Sequence, residues 1–396
     1  TLAGALNNAD DGDILVLKPG DYTPPDLKTL FVSGVTVTLI GVGTPRPTLG
    51  PIEVRDVPPA GLVVIRGLQL GESEVPDWLG FSMPGLTTSK SAGSIWIEDC
   101  VIEGMNGTGA LPDRFFPPFN HHGSPAVHVS NCDSVTLQRC TLSGGRGAPY
   151  AQQPGFELFA TYGGEGLAVG NSSVVATDCV MLGGAGGNGQ TIDGSQGASG
   201  ANGAFAQTFC TLYLTDCSLT GGSNGVSNTS VTDGAGNGLT LQMSTAFQRG
   251  CSFTPGQLLE EGVAAVPIWP LTGGVIDHTA AARSLVVSSP MQEGDPGTVV
   301  VGGLPGDQAT LLVAIHGGWT LLQSKQGVLV LNPLPTLLVM PLGSIGAGGT
   351  LSLGFTTPNL PASLEGVTMP MQLLVQSGDG LTLEGASALV WLDASL

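Results

Sequence analysis

Short runs of alternating apolar and polar residues recur along the first two thirds of the chain, and they share one ending. Ile97-Glu98-Asp99-Cys100-Val101-Ile102 is followed by Leu137-Gln138-Arg139-Cys140-Thr141-Leu142, Ala176-Thr177-Asp178-Cys179-Val180-Met181 and Leu214-Thr215-Asp216-Cys217-Ser218-Leu219. A degenerate copy ends at Cys251-Ser252-Phe253. Two earlier copies, Leu39-Ile40-Gly41-Val42 and Ile65-Arg66-Gly67-Leu68, place another residue in the cysteine slot. The slot falls at 42, 68, 100, 140, 179, 217 and 251. A second short strand precedes it in each unit, as in Ala126-Val127-His128-Val129, Leu167-Ala168-Val169, Ala204-Phe205-Ala206 and Leu239-Thr240-Leu241. Asn131 and Asn171 follow two of these strands, where a sharp corner favours a residue tolerant of positive φ.

Short period-2 strands of this kind cannot bury an apolar face alone, so each unit must stack on its neighbours. The units vary in length, and the extra residues fall at one place, between the cysteine strand and the next unit's first strand. Insertions confined to one corner fit a parallel β-helix. A β-propeller needs more regular strand spacing.

The beginning of the chain, Thr1-Leu2-Ala3-Gly4-Ala5-Leu6, then Gly12-Asp13-Ile14-Leu15-Val16-Leu17 and Pro19-Gly20-Asp21-Tyr22, resembles the capping segment of the pectin-lyase-like β-helix superfamily. The resemblance covers roughly residues 1–255. It implies a right-handed parallel β-helix whose first coil is covered by a short amphipathic helix. It implies little about activity, because that superfamily holds lyases, hydrolases, adhesins and structural proteins. Residues 256–282 read as a connector broken by Pro267 and Pro270. Residues 283–396 carry about eight short strands between Gly and Pro turns, which predicts a small antiparallel β-sandwich similar to terminal modules of secreted bacterial proteins. The fold class is therefore all-β: a solenoid of 1–255 with an N-terminal helical cap, then a sandwich.

Glycine (62) and proline (28) are abundant enough to suggest disorder, but 41% of the chain is hydrophobic and ordered in register. The glycine is assigned to turns. Twelve Lys and Arg against 31 Asp and Glu give a net charge of −19, which argues against nucleic acid and anionic membranes as partners. No apolar run reaches the roughly 18 residues of a membrane span. Residue 1 already lies in a helical pattern, so the chain reads as a mature or trimmed product, and composition points to secretion to the exterior or cell surface of a bacterium.

Five of the seven cysteines share one slot, so they should stack facing inward at about 4.8 Å. A disulfide prefers about 3.8 Å between Cβ atoms, and Cys132 and Cys210 lie two coils apart, so most of the thiols are expected to be free and buried. No Cys/His spacing suggests a metal.

Enzymes of the resembled fold act on polymers lying along the coil, walled by corner loops. Loops 104–124, 143–164, 182–202 and 220–237 could bring together Asp113, Arg114, His121, His122, Glu157, Glu165, Asp193 and Asp233, with aromatics such as Phe115, Phe159 and Tyr162 for stacking on sugars. Two carboxylates across a bond would serve a hydrolase. A cation with Arg114 or a histidine as base would serve a lyase. The polygalacturonase motif set is absent, and Ile276-Asp277-His278, a fragment of a pectate-lyase motif, lies in the connector. The alternative is that the aromatics fold the loops onto the wall and the acids form a solvated surface.

The sequence thus favours an extracellular structural or surface protein, such as a filament, surface-layer or adhesive component. It leaves open a polysaccharide lyase or hydrolase and a non-catalytic carbohydrate-binding protein. No cofactor is expected; calcium is implied only if the chain acts on polysaccharide. Self-association and polysaccharide are the expected partners. The C-terminal end of the solenoid needs a cover, from the connector and sandwich or from a neighbouring subunit, and 257–265 is the sole candidate helix for a lid.

Overall fold

The structure, a computed structural model, describes residues 1–24, 29–71, 83–108, 121–153, 156–189, 197–226, 234–259, 263–278, 281–322, 327–334, 337–361, 364–378 and 380–395, without the side chains of 151–158. The chain is all-β with extensive parallel sheet. A large sheet takes one span from each successive turn of chain, in the order Asp13–Leu17, Val37–Gly41, Leu62–Arg66, Leu86–Glu98 and Val127–Gln138. It continues through Leu167–Gly170 with Ser173–Thr177, Ala204–Gln207 with Thr211–Thr215, Leu239–Arg249 and finally Ile268–Asp277. A smaller sheet stacks the segments after the cysteine slot, from Thr48–Leu49 through Val101–Glu103 and Thr141–Ser143 to Ser252–Thr254. Pairing within both stacks is parallel, and the register is the one the repeat implies: Ile65, Ile97, Leu137, Ala176 and Leu214 align and are buried.

The corners explain the repeat's polar pair. Asp99, Arg139, Asp178 and Asp216 each precede a cysteine and have φ of 54°, 51°, 53° and 50°. Asn131 and Asn171 have φ of 54° and 45°, and Asn171 donates from its amide to Asn131 Oδ1 at 2.9 Å. Directly after the first corner, Cys100, Cys140, Cys179 and Cys217 are buried, Cys251 is half-buried, and all seven thiols are free. Leu2–Asn7 forms a helix capped by the Thr1 side chain, with Leu6 buried and Leu2 packed against the same core.

From Ser284 onward the sheets are antiparallel. Ser284–Val287, Pro296–Gly302 and Thr350–Thr356 form one. Gly380–Leu392, Gly366–Ser377, Gln308–Ala314 and Leu337–Ser344 form the other, with Met291–Gln292 added in parallel. Leu285, Val287 and Val301 of the first pack with Leu311, Leu373 and Val375 of the second. Gly327–Leu331, expected as a strand, pairs in a hairpin with Gly317–Leu322, which is additional to the strands expected from sequence, as is Met291–Gln292.

This C-terminal part lies along the side of the large parallel sheet. Val64, Trp96, Val175 and Tyr213 point away from the core between the parallel sheets and are buried against Val328, Val330, Ala386 and Ala388. That is why Leu62-Val63-Val64-Ile65 is apolar without alternation: both faces of the sheet are covered there. The contact also encloses charge. Glu98, with no exposed surface, pairs with Arg66 at 3.1 Å and with Arg139, and accepts from Trp96 Nε1 at 2.9 Å, Ser387 Oγ at 2.6 Å and the Ala388 amide at 2.7 Å. Arg249 pairs with Glu384 farther along the same contact.

Two observations bear on the C-terminal end. Residues 257–259 and 263–265 are not helical; the amides of Leu259 and Val266 donate instead to the side-chain oxygens of Asn224 and Asn237 in the previous turn. Within the presumed connector, Ile268–Asp277 adds one further parallel strand.

Candidate functional site

The segments read as corner loops are, next to the sheets, an ordered array. In 183–189, the amides of Gly183, Gly186 and Gly189 donate to the carbonyls of Thr220, Ser223 and Val226 in the following turn, at 2.8, 2.9 and 2.8 Å. In the same segment Gly184 and Gly187 donate to Gly164 and Thr161, at 2.8 and 2.9 Å, across to a returning segment. Gly222 and Gly225 repeat the pattern toward Ala201 and Ala198. Hydrogen bonds in two directions at a three-residue interval, outside any strand, are the behaviour of polyproline-II-like chains packed side by side. Only glycine fits at the contacts. A Cβ on Gly184 would sit 2.0 Å from the Gly145 carbonyl oxygen, and one on Gly145 would sit 1.9 Å from that of Met105. The signal was in the sequence, as Gly183-Gly184-Ala185-Gly186-Gly187-Asn188-Gly189, with a glycine pair every third residue.

Asparagines carry the array from turn to turn. Asn106, Asn188 and Asn224 accept, through their side-chain oxygens, from the amides of Arg146, Val226 and Leu259, at 2.8, 3.0 and 2.8 Å.

Of the sequence-derived candidates, Asp113, Arg114, Asp193 and Asp233 lie outside the described residues, as does Phe115. Glu157 is on Phe156–Leu158, paired antiparallel with Ala151–Gln153, and its side chain is not described. His121, His122 and Glu165 belong to neighbouring segments of the glycine array. His122 Nδ1 accepts from the Tyr162 amide at 3.1 Å, and the two rings stack with centroids 5.1 Å apart. The His121 carbonyl accepts from Thr161 Oγ1 at 2.9 Å, and the His121 Nε2 is buried without a partner. Burial, then the neighbouring His122, holds its pKa below the usual value. Glu165 is half-buried three residues beyond Tyr162, about 9 Å along a segment of this kind. Phe159 and Tyr162 are exposed at the rim. His128 points away from the core, half-buried, as its alternation implied. Asp277 accepts from Gln248, and His278 stacks on Phe247, so the Ile276-Asp277-His278 fragment serves packing. Among the described residues no group of three or more His, Cys, Asp or Glu could hold a metal ion.

Burial pushes the Glu165 carboxyl above its ordinary range. A carboxylate raised in this way binds protons more readily folded than unfolded, so it contributes stability below the unfolded value of about 4.5 that is lost as pH rises through the folded pKa. Glu165→Gln is therefore expected to raise the thermal midpoint at pH 7 and leave it nearly unchanged at pH 4. Calorimetry of both proteins at the two pH values checks this; an equal shift at both would remove the carboxylate from the account.

No family model and no characterised protein matches the sequence. Among solved structures, the chain is similar to the enzymatically active domain of tailspike protein 4 of bacteriophage CBA120, at 10% identity and TM-score 0.30 over 96% of this chain and 64% of that one. It is also similar to the Dettilon tailspike protein, at 10% identity and TM-score 0.25 over 95% of this chain and 74% of that one. A human F-spondin reeler domain matches 29% of this chain and 90% of its own, at 13% identity and TM-score 0.17. These likenesses are too slight to assign an activity.

Proposed function

We propose that this protein is an extracellular structural or surface component. In this reading the parallel sheets close as a right-handed β-helix, the glycine array braces one side, and the C-terminal sheets form a sandwich on the other. The product is a stiff rod that holds the loops at the array's outer edge in fixed positions. The observation that carries the proposal is the array itself: two-directional main-chain hydrogen bonding at every third residue. Such packing fills the space beside the coil with backbone, where an enzyme of the resembled fold would need a cleft. A second reading, a carbohydrate-binding protein without catalysis, draws on exposed Phe159 and on Tyr162 stacked with His122 at the array's edge.

The two readings and the enzyme alternative separate in one experiment. The protein is incubated with a panel of polysaccharides, with calcium and with chelator, and both retention and new reducing or unsaturated ends are measured. Retention without products, weakened by Tyr162→Ala, supports a binding surface, and neither retention nor products supports a purely structural role. Turnover that is lost in His122→Ala would overturn both.

A further inference from the structure

The two ends of the parallel stack differ. At the first, the Leu2–Asn7 helix lies over the core with Leu6 buried. At the other, Ile268–Asp277 pairs with Leu239–Arg249 on one edge and with nothing described on the other. Val263, Val266, Trp269, Leu271 and Ile276 are exposed there, by 73%, 41%, 50%, 49% and 45%. The C-terminal sheets cover the side of the stack and leave this end open. An uncovered strand edge with an apolar rim recruits another strand.

We propose that this end is the site of a tail-to-tail dimer with a second copy of the chain. Charge selects the occupant. Each copy carries a net −19, yet residues 263–276 contain no Asp, Glu, Lys or Arg. Two copies can therefore meet here without bringing like charges into a dry contact. Two-fold symmetry runs the facing strands antiparallel, which sends Asp277 of each copy toward the far end of the other's strand. Gly274 lies within the edge with nothing inside 4 Å of where a Cβ would sit, so backbone can approach backbone. A head-to-tail filament would need the opposite end, which the helix occupies. The inference holds whether the rod is structural or carbohydrate-binding.

Sedimentation equilibrium of the intact chain up to about 100 μM tests it. A species of twice the monomer mass is expected. Trp269→Glu and, separately, Val263→Glu should each raise its dissociation constant at least tenfold, while Leu334→Glu, at a surface 74% exposed elsewhere, should not. Val263 lies outside the strand, so its variant reads the interface even if Trp269→Glu fails to fold. A monomer throughout the range, open-ended polymerisation, or a dimer indifferent to both end variants would overturn the proposal.

Discussion

Gly184→Ala is expected to destabilise the protein by about 4 kcal/mol or more, enough that little folded material would be recovered near physiological temperature. The added methyl would sit 2.0 Å from the Gly145 carbonyl oxygen and 2.9 Å from that of Gly144. Neither is the free end of a flexible side chain. Both are backbone in a segment whose own amides are bonded to the turns on either side, so relief at one contact breaks another. Gly170→Ala is the matched control: its new methyl would meet nothing within 4 Å, and a change within about 0.5 kcal/mol is expected. Urea unfolding of the two variants against the parent would measure both. Near-equal costs would mean that the array yields easily and is an ordinary set of loops.

The contrast also shows how far the sequence could be read. The cysteine slot and its neighbours specify strand, corner and inward face within a few residues, because inward positions are apolar in every turn and a slip of one residue would expose them. Ile97 over Leu137 over Ala176 follows directly from that pattern. The glycine array was missed because glycine has no side chain to carry a hydrophobic period. Its regularity lies in backbone hydrogen bonds, visible in sequence only as a spacing of three. The lateral docking of the C-terminal sheets was missed for a different reason. Val64, Trp96 and Tyr213 sit at outward-facing strand positions, and nothing local in the sequence says that this face is covered. The candidate site was the least legible. The geometry of His121, His122 and Glu165 depends on the glycine array that holds them, which no side-chain pattern announces.

Glu98→Ala is expected to cost 3–5 kcal/mol and to loosen the C-terminal sheets from the parallel stack. In the parent, one carboxylate with no exposed surface satisfies Arg66, Arg139, the Trp96 indole, the Ser387 hydroxyl and the Ala388 amide. Its loss leaves the donors on both sides of the contact buried without an acceptor. Asp99 still balances the two arginines, at 3.1 Å to Arg66 and 2.8 Å to Arg139, so the damage concentrates on Ser387 and Ala388 in the C-terminal part. Glu98→Gln keeps the shape and one acceptor, and an intermediate cost is expected. Hydrogen exchange across 380–392, where the bonded amide of Ala388 lies, should accelerate in Glu98→Ala well beyond exchange in the cysteine strands. A double-mutant cycle with Ser387→Ala should return a coupling of about 0.5–3 kcal/mol. If Glu98→Ala instead costs less than about 1 kcal/mol with exchange unchanged, Val64, Trp96 and Tyr213 against Val328, Val330 and Ala388 hold the two parts together by apolar burial alone.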